Sequence, residues 1–164
     1  MAKSRKKKSK VSLCLILSII AALASLISLA FMTMSAVDLS MTVLGKKVSL
    51  GSFSVIQVAF GDGENSLDLV PGLLAAIIVL VVGALASLGT VKCKYIGYLS
   101  ALLLLTAGIL FFCTPAFFSS VNGSLIIGGT EVAKSTAALG NGAMIMGICS
   151  FVGALASVGS TLVK

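Results

Sequence analysis

The chain has 164 residues, of which 58% are hydrophobic and only 10% are charged, with a formal net charge of +7. Soluble domains average about 45–50% apolar and roughly 25% charged residues, so this composition excludes a soluble globular domain. The apolar residues lie in long uninterrupted runs, which also excludes a disordered, collagen-like or nucleic-acid-binding chain. The composition indicates an integral membrane protein.

Six of the twelve basic residues fall within the first ten positions, directly before the first apolar run. We predict that residues 1–10 form a cytoplasmic basic tail. Each basic side chain near the surface adds on the order of 1 kcal/mol of attraction to anionic lipid headgroups. The residues assigned to this contact are Lys3, Arg5, Lys6, Lys7, Lys8 and Lys10.

Residues 11–164 are predicted to form a single membrane domain with four spans. Crossing a hydrocarbon layer of about 30 Å takes about 20 apolar residues, and four runs without Asp, Glu, Lys, Arg or His are that long. The spans lie at about 11–34, 69–91, 95–118 and 142–163. Pro115 lacks the backbone N–H of a helical hydrogen bond, so we expect the regular helix of the third run to stop there.

A cleavable signal peptide is the alternative for the first run. A basic start, an apolar stretch over 13–20 and the small-residue pattern Ala22-Leu23-Ala24 suit cleavage before Ser25. Apolar residues continue through Met32, which favours a full span. Cleavage would leave the sidedness of the other three spans unchanged.

The distribution of basic residues predicts the orientation. The tail, the turn with Lys92 and Lys94, and Lys164 place nine basic and no acidic residues on one side of the membrane. The other side has three basic and five acidic residues. Because basic residues are retained in the cytoplasm, both termini of this multi-pass plasma-membrane protein are placed there. The outer loops then lie at about 35–68 and 119–141.

The first outer loop is predicted to form a β-hairpin or a three-stranded sheet. β-Prone stretches flank a Gly-Lys-Lys turn at 45–47, and β-branched and aromatic residues continue over 53–58. The second loop repeats this pattern more weakly over 124–132 and can add strands to the same sheet. Exposed strand edges and apolar side chains suit pairing with another chain. The residues assigned to this outer-loop interaction are Val43, Leu44, Val48, Leu50, Phe53, Val55, Ile56 and Val58.

Two short motifs in the outer loops bear on metal binding and on glycosylation. Asp62, Glu64 and Asp68 lack the ligand spacing of an EF-hand, so we predict no metal site. Asn122-Gly123-Ser124 matches the N-glycosylation acceptor and has a use only in a host that glycosylates.

The second and fourth runs carry nearly the same string. Gly83–Gly89 and Gly153–Gly159 agree at six of seven positions, 70 residues apart. Duplication of a helix–outer loop–helix unit, with a pseudo-two-fold axis along the membrane normal, would explain this string, and so would chance recurrence of small residues. Small residues four apart let helices approach closely, so we predict that these two helices pack against each other or their neighbours. The helix-packing residues are Gly83, Ser87, Ala143, Gly147, Gly153 and Ser157.

Several kinds of chemistry are missing from the sequence. The chain has no His, which excludes histidine proton relays, His–zinc sites and Ser–His catalysis. Its spans carry no ionisable side chain other than Cys thiols and the phenols of Tyr95 and Tyr98, which argues against ion-coupled transport and intramembrane aspartyl proteolysis. The four Cys are scattered without metal or disulfide spacing. We therefore predict no enzyme activity, cofactor or metal.

Four spans, both ends inside and a longer first outer loop with strand character resemble the claudin-like tetraspan architecture. The resemblance covers the whole chain in topology and implies an all-α membrane protein, with a four-transmembrane-helix bundle and a small extracellular β-sheet or hairpin mostly from the first outer loop. The claudin Trp and Cys signature is missing, since the chain has no Trp and this loop has no Cys. The Ala/Gly-rich helices, the Lys-rich start and the string Val58–Gly61 look more like small uncharacterised bacterial tetraspan proteins, a likeness that implies a fold and no activity.

These patterns predict a non-enzymatic integral membrane protein that acts as a scaffold or interaction partner. It would bind other membrane proteins or copies of itself, besides lipid, through its outer loops and small-residue helix faces, and no nucleic acid. The alternative is a passive channel or an accessory subunit of a membrane transporter. Hydroxyl side chains that can line a pore are Ser18, Ser25, Ser28, Thr106, Ser150 and Ser157.

Overall fold

The computed structural model describes residues 2–43, 46–61, 68–90, 93–122, 124–127 and 130–163. Within them the chain forms six α-helices, a short 3-10 helix (Phe31–Thr33) that continues the first of them, and four strands. In chain order the α-helices and strands are α1 (Ala2–Ala30), β1 (Ser35–Val43), β2 (Lys46–Ser54), α2 (Val55–Phe60), α3 (Pro71–Gly89), α4 (Lys94–Phe112), α5 (Thr114–Asn122), β3 (Ser124–Ile127), β4 (Thr130–Leu139) and α6 (Asn141–Val163).

The prediction of four spans is confirmed as four helical segments long and apolar enough to cross a membrane. They are Leu13–Thr33, Pro71–Gly89, Lys94–Phe112 and Asn141–Val163. The first segment is continuous with the basic start of the chain, because α1 begins at Ala2. The predicted basic tail is therefore a helical extension of the first span in its backbone, and its side chains lie outside those that the structure describes.

The third span is shorter than predicted. α4 ends at Phe112, and α5 starts at Thr114 with Pro115 in its first turn. Backbone N–H groups in the first turn of a helix have no acceptor within that helix, so proline is tolerated there. The carbonyl of Cys113 accepts from the N–H of Ala116 at 3.0 Å, so the chain turns at this residue. Pro115 thus begins a second helix, and residues 119–122, predicted as loop, are helical.

The long helices α1, α3, α4 and α6 form a ring in which each helix packs against two antiparallel neighbours. The main contacts are α1 with α3, α3 with α4, α4 with α6 and α6 with α1, whereas α3 and α6 lie on a diagonal and barely touch. The strands lie at one end of the ring, which we call the sheet end. The start of α1, the end of α3, the start of α4 and the end of α6 lie at the other, the turn end.

The strands form one antiparallel sheet in the order β2-β1-β4-β3. The predicted hairpin of the first outer loop is confirmed as β1 and β2. The second outer loop supplies the other two strands, which confirms the prediction that it adds strands to the same sheet. The expectation that the sheet comes mostly from the first loop is wrong. β1 pairs with β4 through Val37 and Leu139 at one end and through Met41 and Ser135 at the other. This central pairing joins the two loops.

The predicted continuation of the strand over 53–58 is wrong beyond Ser54. Residues Val55–Phe60 form α2, and Ser54 caps it: its hydroxyl accepts from the Gln57 N–H at 3.3 Å, while the Gln57 side chain accepts from the Ser54 N–H at 3.0 Å. This reciprocal capping box satisfies backbone donors at the helix start. Tertiary burial of Val55, Val58 and Ala59 then outweighs the β-propensity of the segment.

The repeated string lies on equivalent helices of the ring, yet the two halves of the chain are not equivalent in the sheet. A two-fold rotation that exchanges the two halves of the chain would place α1 on α4 and α3 on α6. The order of the helices in the ring is compatible with this rotation. The same exchange would place β1 on β3 and β2 on β4, whereas the observed central neighbours are β1 and β4. The helix order of the bundle is therefore compatible with a two-fold relation between the halves, whereas the strand order of the sheet is not.

The interior changes character along the bundle. Toward the sheet end the core is apolar, with Leu73, Ile77, Leu80, Leu104, Phe111 and Met146 among its buried residues. Toward the turn end the buried side chains carry hydroxyls: Ser18, Ser87, Thr90, Ser100, Ser157, Ser160 and Thr161. Small residues of this kind permit close helix contact where lipid offers no hydrophobic driving force. The helices therefore pack mainly through hydroxyl-bearing side chains toward the turn end and mainly through apolar side chains toward the sheet end.

Candidate functional site

The sheet is attached to the bundle through a close backbone contact between the start of β1 and the start of α6. The N–H of Gly140 donates to the carbonyl of Ala36 at 2.8 Å. A methyl group on Gly140 would lie 2.5 Å from the Ser35 carbonyl oxygen, and one on Gly142 would lie 2.8 Å from the same oxygen. Because backbone atoms cannot rotate away as a side chain can, both positions require glycine. We call this contact the joint.

A second attachment holds α2 against the start of α3. The Val55 N–H donates to the Met34 carbonyl at 3.0 Å, and the Val70 N–H donates to the Val58 carbonyl at 3.2 Å. Val55, Val58 and Val70 are fully buried. The hairpin of the first outer loop is thus fixed to the bundle at both ends, which gives the sheet a defined position.

The two halves of the sheet are also linked by side chains. The hydroxyls of Ser40 on β1 and Thr136 on β4 lie 2.9 Å apart, and the Thr136 hydroxyl also lies 3.0 Å from the Ser40 carbonyl oxygen. Both residues belong to the paired segment of these strands. Cross-strand pairs of this type stabilise a sheet by roughly 0.2–1 kcal/mol each.

Among the strands described, β2 and β3 end the sheet, and each is paired on one side only. On β2 the side chains of Ser49 and Ser52 are exposed, as is Gly51, whose φ of +131° favours glycine. Gly51 follows a register shift that leaves Leu50 opposite no residue of β1. Charged residues, which protect strand edges, occur on β2 only at Lys46 and Lys47. The segment Ser49–Ser54 is therefore an uncharged strand edge, which we call the β2 edge.

The residues predicted for outer-loop interaction divide into four groups. Val43, Val48 and Leu50 lie on strands, with side chains outside those described, and Leu44 lies outside the described residues altogether. Phe53 is partly buried against the core. The expectation of exposed side chains at Val55 and Val58 is wrong, because both are fully buried, and Ile56 is 40% exposed. Of this set, Ile56 alone has a described side chain on the open surface.

Sequence reasoning missed the exposed face of α2. Phe60, one helical turn after Ile56, is 58% exposed, and Leu69 at the approach to α3 is 45% exposed. Two signals in the sequence indicate this helix: the Ser54…Gln57 spacing of a capping box, and the i, i+3, i+4 spacing of Val55, Val58 and Ala59. An apolar face lies on the open side of α2 as a result.

The predicted helix-packing residues on α3 lie in the interior of the bundle, and they face α4. Gly83 is buried, and a methyl group there would lie 3.0 Å from a methyl carbon of Leu104. The Gly83 carbonyl accepts from the Ser100 hydroxyl at 2.9 Å. Ser87 is fully buried and donates to the Ala84 carbonyl at 2.6 Å.

The packing residues on α6 face α4 and α1. A methyl group on Gly147 would lie 2.7 Å from the Phe112 ring, and one on Gly153 would lie 3.2 Å from Leu104 and 3.4 Å from the Ala21 carbonyl oxygen. Ser157 lies 3.2 Å from the Ser100 hydroxyl. Ala143 is fully buried. Gly83, Gly147, Gly153 and Ser157 thus contact the intervening helices. This follows because α3 and α6 lie on a diagonal of the ring and barely touch.

The hydroxyls considered for a pore do not share a channel wall. Five of the six, Ser18, Ser25, Ser28, Ser150 and Ser157, are almost completely buried in the packed bundle. Ser25 and Ser150 donate to carbonyls of their own helix at 2.9 and 2.7 Å, and Ser28 donates to the Met146 carbonyl across the α1–α6 contact at 3.4 Å. Thr106 is exposed on the outer face of α4.

The described residues contain no group of three or more His, Cys, Asp or Glu side chains that can hold a metal ion. Asp62 and Glu64 of the acidic group, and Gly123 of the glycosylation motif, lie outside the described residues. The described side chains exposed at the sheet end include Asp38 on β1 and the apolar Ile56 and Phe60 on α2. Comparison with protein-family models and with curated proteins finds no match to this chain.

Proposed function

We propose that the chain is a non-enzymatic scaffold of the plasma membrane, with both termini in the cytoplasm, that binds another membrane protein through the sheet end. The observation that carries the proposal is the β2 edge: an uncharged strand edge outside the bundle that pairs with no further strand within the described part of the chain. Strand addition to such an edge supplies main-chain hydrogen bonds for affinity.

The attachment of the sheet supports this role. Backbone contacts at the joint and at α2 fix the sheet relative to the bundle, so a partner strand would meet an edge that is already ordered. Preorganisation of this kind lowers the entropic cost of association. By contrast, the small-residue helix faces are occupied within the bundle. The proposal therefore places the partner at the sheet end and not on those faces.

Site-specific photo-crosslinking in cells tests the proposal. A photoreactive amino acid at Ser49 or Ser52 should give a discrete protein adduct, identified by mass spectrometry. The matched control is the same amino acid at Thr106, which is exposed on α4 away from the sheet and should give none. The added variant Ser52→Pro removes a backbone N–H from β2 and should reduce the Ser49 adduct without preventing membrane insertion. Absence of a protein adduct from both β2 positions would contradict the proposal.

A further inference from the structure

A groove of about 580 Å³ runs along the outer surface of the bundle between α4 and α6. Tyr98, Ala101 and Leu105 line it on α4, and Phe151, Ala154 and Val158 line it on α6. Ala101 and Ala154 are 7% and 4% exposed and form its floor, because their small side chains leave space between the larger ones. We call it the α4–α6 groove. It faces the space that lipid occupies around a membrane helix bundle.

An aromatic pair bounds the groove toward the sheet end, where the Phe151 ring stacks on Phe112 with ring centroids 5.8 Å apart. Gly108 makes room for that ring, since a methyl group there would lie 3.2 Å from it. Tyr98 lines the groove at its turn-end limit. From Tyr98 to Leu105 the groove is about 10 Å long at 1.5 Å of rise per helical residue, so it is a short apolar slot.

Positive charge lies next to the turn-end limit of the groove. Lys94, Tyr98, Ala101 and Leu105 follow the spacing i, i+4, i+7, i+11, which places them along one face of α4. Lys94 is exposed, at the turn-end limit of the face that lines the groove. In the sequence, the segments that adjoin the turn-end limits of the long helices, residues 2–10, Lys92 and Lys164, also carry basic and no acidic residues. An apolar slot thus ends one helical turn from the exposed Lys94.

We propose that the α4–α6 groove binds an anionic phospholipid, with one acyl chain in the slot and the phosphate headgroup at Lys94 and Tyr98. The apolar lining matches an acyl chain, and the exposed Lys94 on the same face of α4 matches a phosphate. Basic sites between membrane helices recognise anionic headgroups in this way. A slot about 10 Å long suits a stretch of one acyl chain. A helix of a second protein would need a groove that continues along the bundle.

Fluorescence quenching by brominated lipids tests the proposal on the full chain. The protein has no Trp, so a single introduced Trp reports from one position. Leu105→Trp places the reporter in the groove, and Val82→Trp is the matched control on α3. Leu105 and Val82 are 45% and 47% exposed and lie at similar depth, because Gly83 contacts Leu103 and Leu104. Both variants are reconstituted with phosphatidylglycerol or phosphatidylcholine that carries the same brominated chains.

Brominated phosphatidylglycerol should quench the Leu105→Trp protein at a mole fraction at least about fivefold lower than brominated phosphatidylcholine. The Val82→Trp protein should respond about equally to both lipids. Adding Lys94→Gln should weaken the preference in the groove about fivefold, the equivalent of about 1 kcal/mol for one basic residue. Lys134→Gln, which changes a lysine of β4 at the sheet end, should leave it unchanged. Since Lys94 and Leu105 are on the surface, these variants keep the packed interior.

Two results would overturn the proposal. Equal quenching of the Leu105→Trp protein by the two lipids would show that the groove does not select an anionic headgroup. Protection of that Trp from both lipids, relative to Val82→Trp, would show that a second copy or another protein covers the groove.

Discussion

Two glycines of α6 are expected to respond in opposite directions to the same substitution. Glycine inside a helix is less favourable than alanine by about 0.5–1 kcal/mol, so Gly→Ala stabilises a helix where space allows. At Gly159 the added methyl would meet only Leu17 methyl carbons, at 3.5 and 3.9 Å, which is ordinary contact. We therefore expect Gly159→Ala to raise the free energy of unfolding by about 0.5–1 kcal/mol.

At Gly142 the added methyl would lie 2.8 Å from the Ser35 carbonyl oxygen and 2.9 Å from the Met34 carbonyl carbon. Both are backbone atoms of the joint, so relief requires β1 and α6 to separate. Overpacking of this kind costs about 1–3 kcal/mol, which exceeds the smaller gain in helix propensity near a helix start. We expect Gly142→Ala to lower the free energy of unfolding by about 1–2 kcal/mol.

Thermal unfolding of the two variants in the same detergent, followed by circular dichroism, measures this difference. One kcal/mol corresponds to about 2–4 °C for a chain of 150–250 residues, so the two melting temperatures should lie on opposite sides of the wild-type value. Gly140→Ala, with a 2.5 Å approach to the same oxygen, should be at least as damaging as Gly142→Ala. Equal stabilisation by Gly142→Ala and Gly159→Ala would refute the close backbone contact at the joint.

Three further experiments test other parts of the structure. Ser100→Ala removes the hydrogen bonds to Gly83 and Ser157 and should lower the free energy of unfolding by about 0.6 kcal/mol. The control Thr106→Ala, at an exposed helix position, should change the free energy of unfolding little. Equal effects of the two substitutions would contradict the interhelical role of Ser100. Ser54→Ala removes the cap of α2 at a cost of about 0.5–2 kcal/mol and should speed amide hydrogen exchange over residues 55–60. The control Ser120→Ala should leave the exchange rate of these amides unchanged. Unchanged exchange in the Ser54→Ala protein would contradict the capping role of Ser54. In a cysteine-free background, a membrane-impermeant maleimide should label Ser52→Cys in intact cells and Lys94→Cys only after permeabilisation, and the reverse pattern would show that the proposed orientation is wrong.

Hydropathy was sufficient to predict the helices of the bundle, because a span must satisfy every backbone group internally and so leaves a long apolar run in the sequence. The end of the third span was harder to place. Pro115 signals a helix boundary, but the same residue that cannot continue one helix is well suited to start the next, and α5 begins beside it.

The sheet end was predicted less completely. Alternation and β-propensity indicated β1 and β2, whereas Val55–Phe60 has the same β-prone composition and is helical. A cap at Ser54 and burial of three side chains decide its conformation, and propensity alone does not register burial. The partnership of β1 with β4 is set by which helices are neighbours, so no local pattern could have revealed it.

The pairing of β1 with β4 constrains how the protein is made. Ser40 and Thr136 are 96 positions apart, and three of the four spans have been synthesised before β4 exists. In the orientation that we propose, β1 until then has only β2 as a partner and exposes its other edge on the translocated side. Completion of the sheet would therefore follow translocation of the second outer loop. A chain stalled after α4 would display an unpaired strand, the kind of feature that chaperones and quality-control proteases recognise.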